Sequence, residues 1–87
     1  MNGVRPELLT AIVLRRALGG GVAKVGDTVV DYGFLMGRYL TGTFTELLES
    51  RLLVLVDEDS GFRRVGVTDL GRARYAQVCS LLHRDRP

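Results

Sequence analysis

The sequence predicts an α+β domain, mostly helical, with a β-hairpin set before its last helix. Three observations predict it. A proline-opened segment, Pro6–Leu18, runs straight into Gly19-Gly20-Gly21, the pattern of a helix with a glycine stop. Two apolar runs, Leu53–Val56 and Phe62–Val67, flank the polar stretch Asp57-Glu58-Asp59-Ser60-Gly61, the pattern of a hairpin. Thr68-Asp69 then opens a periodic segment reaching about His83, with a capping hydroxyl and a carboxylate at the positive end of the helix.

The elements come in this order. In the first helix Leu8, Leu9 and Ile12 cover one arc, while Ala11, Leu14 and Leu18 sit on the far side, so it needs two surfaces to pack against. Val22–Val25 is a short strand and Gly26-Asp27 a turn, with Asp27 or Thr28 able to cap the next helix. Thr28–Leu40 reads as a buried helix built on Val29, Val30, Phe34, Leu35 and Met36, with Gly33 and Gly37 as points of close packing. Thr41-Gly42-Thr43 is a turn and cap. The helix from Thr43 to about Arg51 places Phe44, Leu47, Leu48 and Leu52 on one face, opposite Thr45, Glu46, Glu49 and Ser50. Arg51 falls within the apolar arc, which predicts a stem laid along the core and a guanidinium at its rim. In the second hairpin strand Val65 and Val67 share one face, Phe62 and Arg64 the other.

Eighty-seven residues make one domain, residues 1–87, with residues 1–5 and 84–87 expected to fray. A chain this short has no room for a cleft between domains. One cysteine, Cys79, cannot form an internal disulfide, and with one histidine, His83, it cannot complete a zinc site. No apolar stretch approaches a membrane span, and Met1–Pro6 has no secretory h-region, so the expected location is cytoplasmic. The net charge is +2, a thin basic excess in which Lys24 is the only lysine and every other basic residue is arginine.

Three motifs fail on inspection. Gly21-Val-Ala-Lys-Val-Gly26-Asp27-Thr28 has the glycine spacing of a phosphate loop, but Asp27 stands where the lysine should meet phosphate. Asp57-x-Asp59-x-Gly61 starts like a calcium loop, yet its twelfth position is Thr68 rather than a bidentate glutamate. Cys79 and His83 are spaced to meet on one helix, but nothing orients them or supplies an oxyanion site, so a buried thiol and an exposed histidine are expected. The chain is therefore expected not to be an enzyme and to use no metal or cofactor.

The segment Gly42-Thr43-Phe44-Thr45-Glu46-Leu47-Leu48-Glu49-Ser50-Arg51-Leu52-Leu53-Val54, with the hairpin after it and then Val67-Thr68-Asp69-Leu70-Gly71-Arg72-Ala73, resembles the recognition helix, wing and succeeding helix of a winged helix-turn-helix. The resemblance is to the MarR-like and PadR-like bacterial regulators and covers a little over half of the chain. Its most specific piece is Thr-x-x-Gly-Arg. It implies a winged helix with a three-helix core, a β-hairpin wing and a C-terminal helix, and it implies sequence-specific binding of double-stranded DNA by a small transcriptional regulator. The third helix would enter the major groove with Thr41, Thr43, Thr45, Glu46 and Glu49. Arg38, Arg63, Arg64 and Arg72 would meet phosphates or form the wing contact.

The face with Glu46 and Glu49 and the acidic hairpin tip also suit a protein-interaction module on the same fold. The disposition of Arg38, Arg63, Arg64 and Arg72 separates the two readings: one shared surface favours DNA, and scattered, acid-paired arginines favour protein. A homodimer is expected through the first and last helices. Leu70, Tyr75, Val78, Cys79, Leu81 and Leu82 spread over an arc of about 180°, wider than one core needs, and Leu14 and Leu18 form a matching surplus. The expected interface residues are Leu14, Leu18, Tyr75, Val78, Cys79 and Leu82.

Overall fold

A computed structural model describes residues 5–57 and 61–84. Its elements are α1 (Pro6–Leu18), β1 (Val22–Val25), β2 (Thr28–Asp31), β3 (Phe34–Leu35), α2 (Arg38–Glu49), β4 (Leu53–Asp57), β5 (Phe62–Val67) and α3 (Asp69–Arg84). The strands form one antiparallel sheet in the order β3-β2-β1-β5-β4, and the three helices complete a small α+β domain. The Arg5 carbonyl accepts from the N–H groups of Leu8 and Leu9, and α3 runs to Arg84. Residues 1–4 and 85–87, and 58–60 at the hairpin tip, lie outside the described residues.

The first helix, the hairpin strands and the last helix stand where the sequence puts them. The stretch Thr28–Leu40 does not. It is two strands and the start of α2, so the fold has no middle helix before the hairpin and is less helical than expected. The cause is local. Tyr32 and Gly33 both adopt positive φ, 51° and 84°, the pair of left-handed residues that closes a two-residue hairpin with the twist of its strands. Adjacent β-branched Val29 and Val30 prefer the extended chain. Tyr32 is held in this unusual conformation by its own side chain: its ring lies on Gly21, where a Cβ would collide with it, and its hydroxyl donates to the Gly19 carbonyl at 2.7 Å.

Helix α2 consequently begins at Arg38 rather than Thr43. Thr43 is not its cap, since Gly37 holds that place and offers no side chain. At the other end Arg51 lies beyond the helix with φ 63°. The Leu52 N–H reaches the Leu47 carbonyl at 2.9 Å and the Arg51 N–H the Leu48 carbonyl at 3.1 Å, the paired bonds of a Schellman stop. Arg51 therefore occupies a left-handed position that ordinarily takes glycine, and it is exposed instead of lying in the apolar arc.

Strand alternation gives the sheet two unlike faces. The register places Val22, Lys24, Val29, Leu53, Leu55, Arg63, Val65 and Val67 on one side and Ala23, Val25, Val30, Leu35, Val54, Val56, Phe62 and Arg64 on the other. The first side carries the core. Val22, Leu53 and Val65 are buried there with Val13, Leu14 and Ala17 of α1, Met36, and Leu40, Phe44 and Leu47 of α2. Helix α1 packs against α2 and β5 and also against α3, the two surfaces its two-sided pattern demands. Its last turn is tied to β2 by Arg16 and Asp31, 3.8 Å apart.

The junction between β5 and α3 is the most constrained point. The Thr68 hydroxyl accepts the Gly71 N–H at 3.0 Å and donates to the Arg51 carbonyl at 2.8 Å, joining the cap of α3 to the exit of α2. Gly71 is buried against that exit: a Cβ there would overlap the Leu52 carbonyl and stand 2.8 Å from Val67 Cγ1.

Thermal or urea unfolding of three variants tests both stops. Thr68→Ala should cost about 1–2 kcal/mol, and Gly71→Ala about 1–3 kcal/mol or more, because α3 must lift off the hairpin. Arg51→Gly should stabilise the fold by roughly 0.5–1 kcal/mol, by removing left-handed strain from a side-chain-bearing residue. A loss of stability in that last variant would show that the Arg51 side chain, and not its backbone, governs the stop.

Candidate nucleic-acid interface

Leu40, Phe44 and Leu47 fix the rotation of α2 by facing the core. Arg38, Thr45, Glu46 and Glu49 are consequently exposed, with Thr41 and Thr43 half-buried on the flanks of the same solvent face. Arg38, Thr45, Glu46 and Glu49 thus share one surface, while Thr41 and Thr43, about 200° apart around the helix, stand at its opposite edges. The Thr41 hydroxyl donates to the Arg38 carbonyl at 2.8 Å, and that of Thr45 to the Thr41 carbonyl at 3.0 Å. Their protons are spent inside the helix, so these hydroxyls keep only their oxygen lone pairs for an outside partner, as acceptors.

Beside this face an open groove of about 750 Å³ runs between α2 and the first three strands. Lys24, Arg38, Thr41 and Thr45 line it together with Asp27 and Thr28, over a floor that includes Val29, Met36 and Phe44. Arg38 begins α2 at the positive end of its dipole, and the first turn contains no acidic residue. Lys24 is directly opposite Arg63 in the β1–β5 ladder, on the same side of the sheet. Across the hairpin, Arg63 is opposite position 57 in the β4–β5 ladder.

The other two arginines are elsewhere. Arg64 is on the reverse side of the sheet, between Ala23 and Val56. Arg72 is exposed in the first turn of α3, at the opposite end of β5 from Arg63, roughly 15 Å along the strand by its rise per residue. The four arginines are therefore divided among three surfaces and do not form the one shared surface that would favour DNA. Lys24, not among the residues expected from the sequence, joins the α2 groove. Its signal was its alternation with buried Val22: a charged residue on the inward face of a strand must emerge at a groove or pair.

The expected dimer residues also separate. Leu14 and Val78 are completely buried within the single chain, which leaves them nothing to offer a partner. Their wide spread on the helical wheel is used internally, because α1 is sandwiched and α3 lies on it. Tyr75, Cys79 and Leu82, with Leu8, Ile12, Arg15 and His83, line a surface groove of about 390 Å³ between α1 and α3, while Leu18 is half-buried outside it. The Cys79 thiol, half-buried rather than buried, is hydrogen-bonded to the Tyr75 hydroxyl and holds its pKa above the usual tyrosine value, with burial adding to the shift and Arg15 opposing it.

Among the described residues no group of three His, Cys, Asp or Glu side chains could hold a metal ion. No helix among them is long and apolar enough to cross a membrane. No known protein family, curated protein or solved structure matches the chain.

Proposed function

We propose that the chain is a small, sequence-specific double-stranded DNA-binding protein, a cytoplasmic transcriptional regulator working as a two-fold dimer, with no enzymatic activity of its own. The observation that carries this reading is the meeting of Lys24, Arg38, Thr41 and Thr45 in one groove beside the solvent face of α2, with Arg63 next to Lys24 in the sheet. Arginine and lysine supply the phosphate term, and the Thr45 hydroxyl oxygen with Glu46 and Glu49 can accept from base amino groups. In this reading the domain is a winged helix in which the β2–β3 hairpin stands where the middle helix of a three-helix core would be. Helix α2 is the reader and β4–β5 the wing.

A second reading is supported by the reverse side of the sheet. Val25, Val54, Val56 and Phe62 are 42–46% exposed there, with no element over them among the described residues. A domain that leaves so much apolar sheet uncovered is suited to binding another protein. The scatter of the arginines fits that alternative as well.

A salt titration against random and selected duplexes decides between them. Affinity should fall steeply with salt, and Lys24→Ala and Arg38→Ala should each flatten the log–log slope by about one unit. Arg64→Ala, on the reverse face, should leave the slope unchanged. Replacing Glu46 or Glu49 by Ala should shift sequence preference, or raise affinity by removing repulsion from phosphate. Cys79→Ser together with His83→Gln should leave binding intact. A chain that binds no duplex at low salt fails the DNA reading.

A further inference from the structure

From the free edge of the sheet we infer that β4 is the dimer interface: two copies pair β4 with β4 antiparallel and form one continuous sheet across a two-fold axis. This pairing does not depend on whether the chain binds DNA. Strand β4 lies at the end of the sheet, and among the described residues its only ladder is with β5. The Thr68 N–H bonds to the Leu52 carbonyl at 3.2 Å, which makes 52 and 68 a hydrogen-bonded pair and sets the alternation along the hairpin. The bond from the Gly26 N–H to the Gly61 carbonyl at 3.3 Å sets the same phase from the other side of β5. Val54 and Val56 therefore direct their backbone groups to β5, while Leu53, Leu55 and Asp57 turn theirs outward.

Natural sheets protect such edges with charge, proline, a bulge or brevity. The other edge, β3, is two residues long and is protected by brevity. In β4 the run Leu53–Val56 has no charge, no proline and no glycine, and its outward backbone groups adjoin a groove of about 490 Å³ lined by Leu48, Arg51, Leu53, Leu55 and Thr68. The strand is complementary to itself. Pairing centred on Leu55 sets Leu55 against Leu55 of the second copy and Val54 against Val56 of the second copy, and it sets the second copy's position 57, an aspartate, against Leu53 beside Arg51. The central positions of this pairing are all apolar, and no like charges face each other across it. That complementarity commits the edge to a second copy. The contact is isologous, so it closes at two chains instead of growing into a fibre. Its axis is normal to the sheet, so the helices of both copies lie on the same side.

Sedimentation equilibrium over a micromolar to millimolar series, with circular dichroism for folding, tests this. The wild-type mass should rise from 9.6 kDa toward twice that value. Val54→Glu with Val56→Glu opposes two pairs of carboxylates across the axis and should weaken the dimer roughly tenfold or more. Val54→Lys with Val56→Glu opposes unlike charges instead and should restore it, now in a salt-sensitive form. In the wild-type chain, exchange of the Leu55 amide should slow as concentration rises, while that of Val54 stays slow throughout. A mass fixed at 9.6 kDa, or a Leu55 amide indifferent to concentration, overturns the inference. So does a dimer that survives the double glutamate variant and is lost in Leu82→Glu, which would put the interface in the α1–α3 groove.

Discussion

The fold depends on how closely α3 can approach the exit of α2. Thr68 and Gly71 control that approach, one by bonding across it and the other by having no side chain in it. The Thr68 hydroxyl caps α3 and is anchored to the Arg51 carbonyl, so two consecutive chain reversals share one group. Because the cap is fixed to the hairpin base, α3 leaves in a direction that lays it along α1. Helix α1 is then covered on a second side and Val78 is buried completely. A Cβ at position 71 would strike backbone, which cannot rotate away as a side chain can, so the constraint is stringent.

The antiparallel sheet divides the molecule into a covered face and a bare one. Among the described residues every helix lies on the face of Val22, Leu53 and Val65, and period-two alternation sends Val25, Val54, Val56 and Phe62 to the other. The same alternation parts adjacent Arg63 and Arg64, whose positions along the chain suggest a pair and whose strand forbids one. It also brings Lys24, distant in sequence, beside Arg63. The charge pattern around α2 is thus a product of strand pairing and not of local composition.

The amphipathic wheel of α2 was legible because Phe44 and Leu47 face a single core, and its solvent face is the necessary complement. Thr28–Leu40 was not legible as strands. Phe34, Leu35 and Met36 look like the buried face of a helix, yet Phe34 and Leu35 are 78% and 76% exposed and only Met36 joins the core. The deciding feature is the left-handed turn at Tyr32-Gly33, stabilised by Tyr32 reaching back to Gly19 and Gly21 across thirteen residues. Local propensity has no access to such a contact. A wide apolar arc signals two packing partners but not whether they belong to one chain, and here α1 packs on α3 within the chain, with Val78 completely buried and Leu14 in the core with α2.

By itself the sequence determined the first helix from Pro6 and its glycine stop, the hairpin from two apolar runs about a polar turn, and the capped last helix from Thr68-Asp69. These depend on capping groups, turn residues and periodicity, all local within a few residues. Tertiary structure alone decided that β1 adds to the hairpin, that β2 and β3 replace a helix, and which cations meet at the α2 groove. Strand pairing is a choice between distant segments, and its energy lies in ladder bonds and cross-strand contacts that no single segment contains.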